Sequence, residues 1–118
     1  MKMIKIYHNN RCSKSRQALE IVNTFADEVE IIDYMKDQIG KNDLLQVLDE
    51  LNMNPQDLLR KNEADYKNHV KGKSLNNDQI IDLMLEYPRL IERPIVIFEG
   101  RAIVARPPEK VNDFLADE

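Results

Sequence analysis

Short apolar runs rich in β-formers alternate along the chain with segments whose apolar residues recur at helical spacing. This pattern predicts alternating strands and helices. The segment Met3 to Tyr7 is apolar and rich in β-formers, and turn residues follow it. From Lys14 to Ala26 the apolar residues fall at helical spacing, which predicts an amphipathic helix that begins at or just after Cys12. The segment Val29 to Asp33, VEIID, predicts a second strand. These segments together predict a βαβ unit with parallel strands.

Residues 41 to 87 predict a block of three or four helices. Asn42 is a candidate N-cap for a helix that carries several leucines, and Asn54 with Pro55 predicts the start of another. Asn76, followed by Gln79 three residues later, predicts a capping box. No linker or low-complexity segment flanks this block. We therefore expect it to pack on the same core as the strands, so that residues 1–118 form a single domain.

The C-terminal third predicts a hairpin and a last helix. The runs "RPIVIF" and "RAIVA" are β-rich and are joined at Glu99 and Gly100. Pro107 and Pro108 can stand only at or before the first turn of the helix that follows them. The predicted fold is therefore α/β, with the order βαβ, helical insertion and ββα.

Composition and charge restrict the classes of function. The 118 residues carry a net charge of −4, which argues against binding nucleic acid through a basic face. No segment approaches the roughly 18 consecutive apolar residues of a membrane span, and the N-terminus does not resemble a signal peptide, so we expect a cytoplasmic protein with no membrane partner. One cysteine and two distant histidines argue against a metal site.

Cys12 stands where a strand passes into a helix. The first N–H groups of a helix have no partner within it and carry the positive end of the helix dipole, so they stabilise a thiolate. Ser15 occupies the position of the second cysteine of a Cys-x-x-Cys motif, which leaves a monothiol centre that needs an external thiol. His8 lies four residues before Cys12 in the same loop, Arg16 is near Cys12 in the sequence, and the Ser15 hydroxyl is a donor that could bond the sulfur or a bound anion. The alternative is that Cys12 is a small apolar residue packed beneath the loop.

Three arginines are candidates for binding an anion. Taken singly, Arg60, Arg93 and Arg106 are typical of solvated surface charges. Arg93 and Arg106 each precede a proline at a strand boundary, however, and the residue before proline is held extended. Guanidinium groups that converge near a thiolate would form a pocket for a tetrahedral oxyanion.

Four separated motifs, "YHNNRCSKSRQAL", "LLRKNE", "LMLEYPRLIERPIVI" and "ARPPEKV", resemble the ArsC-type arsenate reductases. These enzymes form the glutaredoxin-coupled branch of a thioredoxin-like family that also contains the Spx regulators. The resemblance covers essentially the whole chain and implies a thioredoxin-like fold with a helical insertion between the second and third strands. The family loop often has proline and glycine where this chain has Asn10 and Ser13, and Arg11 adds a further charge.

The resemblance also implies a mechanism and a set of site residues. Cys12 would attack arsenate, and Arg60, Arg93 and Arg106 would hold the oxyanion and its thiol adduct. Glutathione would then reduce the arsenic as a co-substrate, and glutaredoxin would clear the glutathione disulfide, with no bound cofactor. Arsenite would be the product. His8 and Ser15 would assist the thiolate, and Pro94 corresponds to the family's cis-proline.

Two alternatives stay open. A glutathione-dependent thiol oxidoreductase of the same family that acts on another substrate would need Cys12 but not all three arginines. A Spx-like redox regulator that binds RNA polymerase usually carries a Cys-x-x-Cys switch, which Ser15 interrupts.

Overall fold

A computed structural model of the chain describes residues 3–9, 11–36 and 39–116. The residues form two compact units. The sheet unit consists of Met1–Asp37 and Arg93–Glu118, and the helical unit consists of Gln38–Glu92. The expectation that the insertion shares one core with the strands stays a prediction.

The sheet unit is built on four strands in the order β2-β1-β3-β4. The strands are β1 (Met3–His8), β2 (Glu28–Asp33), β3 (Ile95–Phe98) and β4 (Arg101–Val104). β1 and β2 are parallel, which confirms the predicted βαβ unit, whereas β3 is antiparallel to both β1 and β4. Glu99 and Gly100 have positive φ angles of 51° and 77°, as a tight two-residue hairpin turn requires, so the predicted hairpin is also confirmed.

Two helices complete the core of the sheet unit. α1 (Ser13–Phe25) follows β1, and α5 (Lys110–Ala116) follows β4 after the two prolines. Alternate residues of β1 and β3 point toward these helices, as the period of two in a strand dictates. The buried cluster consists of Ile4, Ile6, Ala18, Val22, Val96, Phe98, Ala105, Val111, Phe114 and Leu115. Burial of this apolar surface holds the strands in register and therefore fixes where their ends lie.

The helical unit contains three α-helices, in agreement with the predicted three or four. They are α2 (Lys41–Leu51), α3 (Ala64–His69) and α4 (Asn77–Glu86), and short 3-10 turns lie at Pro55–Leu58 and Pro88–Leu90. The predicted capping box of α4 is present: Gln79 N–H donates to Asn76 Oδ1 at 2.8 Å, and Asn76 N–H donates to Gln79 Oε1 at 2.9 Å. Within the described residues, no helix is long and apolar enough to cross a membrane.

Two predictions for the helical unit are wrong in detail. The N-cap of α2 is Gly40 rather than Asn42, because Leu44 N–H already donates to Gly40 C=O and the helix begins at Lys41. The segment that starts at Pro55 is a single 3-10 turn rather than a longer helix. It ends because Leu59 pairs in a β-bridge with Ile91, which draws the chain into an extended conformation.

Candidate functional site at the end of the sheet

The sheet topology gathers the candidate residues of the sheet unit at one end of the sheet. β1 and β4 end there, and β3 begins there, because β3 is antiparallel to both of its neighbours. Cys12 follows the end of β1, Arg93 precedes β3 and Arg106 follows β4. Continuing the β3–β4 register beyond Ile95 and Val104 places Arg93 opposite Arg106. The hydrogen bond from Ala105 N–H to Pro94 C=O, at 2.8 Å, supports that continuation.

Cys12 is the N-cap residue of α1, as the sequence predicts. A short turn leads to it from β1, in which Cys12 N–H donates to Asn9 C=O at 2.9 Å. The C=O of Cys12 then accepts the Arg16 N–H at 3.1 Å, which is the first hydrogen bond of the helix. The thiol is half-buried. Cys12 therefore stands at the point where the free N–H groups of α1 are concentrated.

The surroundings of Cys12 lower the pKa of its thiol. Burial is the largest single influence and acts in the opposite direction, since it raises the pKa. The backbone N–H groups of Ser15 and Lys14, together with the hydrogen bond and positive charge of Arg93, outweigh burial and favour the thiolate. The net effect is a cysteine that ionises more readily than an ordinary one.

Arg93 is an interior arginine, with 8% of its surface exposed. A buried guanidinium loses much of its hydration and needs a compensating acceptor. The sulfur of Cys12 is such an acceptor when it is ionised, and the hydrogen bonding and charge of Arg93 lower the pKa of the thiol accordingly. The peptide bond between Arg93 and Pro94 is cis, and so is the bond between Arg106 and Pro107.

Arg106 is half-buried at the end of β4. Its backbone N–H donates to Val104 C=O at 2.9 Å, which tightens the chain where the strand ends. Two arginines therefore lie at the same end of the sheet as the thiol. Their planar forks suit the oxygens of a tetrahedral anion.

His8 and Ser15 are both buried, with 4% and 0% of their surfaces exposed. His8 is the last residue of β1 rather than a loop residue, because it still pairs with Asp33 of β2. Among the described residues, no hydrogen-bond partner reaches His8 Nδ1. The Ser15 hydroxyl accepts the Asn9 N–H at 3.4 Å, whereas it is the Ser15 backbone N–H that favours the Cys12 thiolate. Arg16 is exposed on the first turn of α1.

Arg60 belongs to the helical unit. Its Nη2 lies 3.7 Å from Glu63 Oε1, and its Nε lies 3.6 Å from Glu92 Oε1. Its backbone N–H donates to Leu90 C=O at 2.8 Å. In the part of the chain that the structure describes, the buried Nη1 has no hydrogen-bond partner. Arg60 is thus held from two sides by carboxylates of its own unit.

Two of the loop positions that differ from the family pattern are among the described residues. Ser13 is the exposed first residue of α1, and Arg11 is exposed in the turn before it. Asn10 lies outside the described residues. Sequence reasoning overlooked Asn9, which makes three hydrogen bonds around this loop. An asparagine just after a strand is a recognised turn signal, so the pattern that identifies it was present.

Comparison with known proteins shows the family of the chain. The family model described as "ArsC family" matches residues 7–114. The chain belongs to the ArsC family. The matched region of this ArsC-family protein includes Cys12, Arg60, Arg93 and Arg106, together with the strands and helices that carry them.

Relatives of known name match nearly the whole chain. Arsenate reductase from Acidiphilium multivorum is 35% identical over 99% of this chain and 84% of its own length. The uncharacterized protein YfgD of Escherichia coli K12 is 39% identical over 97% of this chain and 98% of its own length. The solved structure of arsenate reductase from Vibrio cholerae is 35% identical, with a TM-score of 0.90 over 97% of this chain and 98% of that one. The predicted thioredoxin-like fold is thereby confirmed.

Proposed function

We propose that this ArsC-family protein reduces arsenate to arsenite, with Cys12 as the nucleophile and glutathione and glutaredoxin as the source of electrons. The observation that carries the proposal is the position of Cys12 at the start of α1, at the same end of the sheet as the buried Arg93, whose charge lowers the pKa of the thiol. It couples a nucleophile in its reactive form with a group that binds oxyanions. Relatives that match almost the full chain are named arsenate reductases, which supports arsenate as the oxyanion.

The first step is attack of the Cys12 thiolate on arsenic, with loss of one arsenate oxygen as water. Arg93 and Arg106 hold the remaining oxygens, and the charge of the adduct is stabilised by their guanidinium groups. A guanidinium that is already desolvated needs little reorganisation when the anion arrives. Arg60 is the third arginine that we assign to the oxyanion, on the basis of the family resemblance.

Reduction of arsenic(V) to arsenic(III) needs two electrons. Cys12 is the only cysteine of the chain, so an internal disulfide cannot supply them. Two external thiols can, since each contributes one electron when the pair becomes a disulfide. Ser15 stands where a second thiol would stand in a Cys-x-x-Cys centre, and its hydroxyl is buried against the Asn9 N–H. A monothiol route through glutathione and glutaredoxin agrees with this arrangement.

The experiment is a turnover assay with arsenate, glutathione, glutaredoxin and a coupled glutathione reductase. We expect arsenite production by the wild-type protein and a loss of more than about 1000-fold in Cys12→Ser, since the nucleophile is removed. Arg89→Ala removes an exposed arginine of the helical unit and serves as the matched control with unchanged turnover. Absence of wild-type turnover beside an active reference reductase would overturn the proposal.

A second experiment distinguishes an arsenate reductase from a thiol oxidoreductase that acts on another substrate. The variants Arg60→Ala and Arg106→Ala are assayed both with arsenate and with a glutathione mixed disulfide, whereas Arg93→Ala is left out because it also raises the pKa of the thiol and would slow both reactions. Loss of arsenate turnover alone supports the oxyanion site. Equal effects on both substrates, or wild-type activity only toward the mixed disulfide, would instead identify a glutathione-dependent thiol oxidoreductase. Stoichiometric recovery of RNA polymerase with the protein would favour the Spx-like alternative.

A further inference from the structure

Asn9 connects the end of β1 to Cys12 through three contacts. Its C=O accepts the Cys12 N–H at 2.9 Å, and its Oδ1 accepts the Arg11 N–H at 3.0 Å. Its own N–H donates to the Ser15 hydroxyl at 3.4 Å. Asn9 is itself buried, with 9% of its surface exposed. One residue therefore binds the turn before the nucleophile and the helix after it.

These contacts determine where the sulfur lies. The Asn9 C=O holds the Cys12 backbone in a turn, and the Ser15 hydroxyl links that turn to the first turn of α1. The thiolate is favoured by the N–H groups of Ser15 and Lys14 on that same turn of helix. Hydrogen bonds weaken steeply with distance and angle, so a small displacement of Cys12 removes much of this stabilisation.

Only one of the three contacts depends on which side chain stands at position 9. Any residue offers a backbone N–H and C=O, but the Oδ1 that accepts from Arg11 is a property of asparagine or aspartate at this spacing. Aspartate would also place a negative charge two residues from Arg11 and three from the nucleophile. Asparagine supplies the same acceptor without that charge, and a like charge nearby disfavours ionisation of a thiol.

We propose that Asn9 is a positioning residue for the nucleophile, and that its side-chain oxygen on the Arg11 N–H holds the turn that places Cys12 at the start of α1. The proposal rests on the proposed function only in that Cys12 is the reacting group. Asn9 makes no contact with the substrate in this role and acts through the geometry of the loop.

The test compares Asn9→Ala with the wild-type protein by the pH dependence of Cys12 alkylation, which needs neither arsenate nor glutathione. We expect the thiol pKa to rise and alkylation at neutral pH to slow by about three- to tenfold, as misdirected N–H groups stabilise the thiolate less. Asn9→Asp keeps the acceptor but adds a negative charge near the thiol, so it is expected to raise the pKa as well.

Asn23→Ala is the matched control, since Asn23 is an exposed asparagine of α1, and its alkylation profile is expected to stay unchanged. An Asn9→Ala profile that superimposes on the wild-type profile would overturn the proposal. Asn9→Leu, which keeps the size of the side chain but removes the acceptor, provides the measurement if Asn9→Ala does not fold, and a wild-type profile for it would count equally against the role. A shifted profile in a protein without arsenate turnover would overturn the proposed function and leave the positioning role supported.

Discussion

Arg93 is buried and Arg60 is half-buried, and the two arginines have different partners. Arg93, in the sheet unit, acts on the ionisable sulfur of Cys12 and lowers the pKa of the thiol. Arg60, in the helical unit, lies between the carboxylates of Glu63 and Glu92. A carboxyl group of ordinary pKa is ionised at neutral pH, whereas a thiol of ordinary pKa is mostly protonated there and ionises only when its surroundings favour it. Arg93 therefore changes the reactivity of its partner, while the partners of Arg60 stabilise the arginine.

The largest expected effect comes from Arg93→Ala. Loss of the guanidinium removes both a hydrogen bond and a positive charge from the Cys12 thiolate, so we expect its pKa to rise and alkylation at neutral pH to slow by about tenfold. Arg60→Ala, the parallel change in the helical unit, is expected to change the alkylation rate much less. Equal slowing in the two variants would contradict the comparison. Arg93→Lys, which keeps the charge, is expected to retain part of the wild-type rate.

The double variant Glu63→Gln with Glu92→Gln tests the other side of the comparison. It leaves the Arg60 charge without its carboxylates, and we expect the free energy of unfolding in urea to fall by about 1–2 kcal/mol, a value discounted for partial exposure. Asp82→Asn, at an exposed position of α4, is the control. Full stability of the double variant would show that the carboxylates do not hold Arg60.

Asn76→Ala is a smaller change that affects only the start of α4 in the helical unit. It breaks the capping box of α4, so we expect a loss of about 1 kcal/mol in the free energy of unfolding. The rate of Cys12 alkylation is expected to remain that of the wild-type protein. Asn77→Ala, at the adjacent exposed position, controls for the loss of an amide side chain. A slower alkylation in Asn76→Ala would mean that thiol reactivity follows stability in general rather than Arg93.

Periodicity and turn residues predicted most of the fold because they reflect local physics. The helical spacing after Cys12 and the strand runs around Glu99 and Gly100 are each determined within about ten residues, and the structure confirms them. The N-cap at Gly40 and the 3-10 turn at Pro55 were predicted wrongly. Pairing of Leu59 with Ile91, more than thirty residues away, ends that turn, and no local pattern contains this information.

The sequence predicts the roles of some residues of the candidate site and not those of others. Cys12 is determined by its place at a helix start, which the sequence displays directly. The convergence of Arg93 on the thiol depends on β3 running antiparallel to β1, a feature of topology rather than of local sequence. The carboxylate partners of Arg60 and the hydrogen bonds that connect Asn9 with Arg11 and Ser15 depend on side-chain placement, which appears only in the folded chain.

Titration of the Cys12 thiol in the wild-type protein tests the central claim most directly. Because the folded surroundings lower this pKa, ionised Cys12 favours the folded state. This contribution to the free energy of unfolding is fully present above the ordinary cysteine pKa. It is lost as the pH falls through the pKa that Cys12 has in the folded protein. The pH profile of alkylation, with thiolate absorbance as an independent measure, is predicted to place the pKa below that of a free cysteine. A pKa at or above the ordinary value would contradict an activated nucleophile held by Arg93 at the end of the sheet.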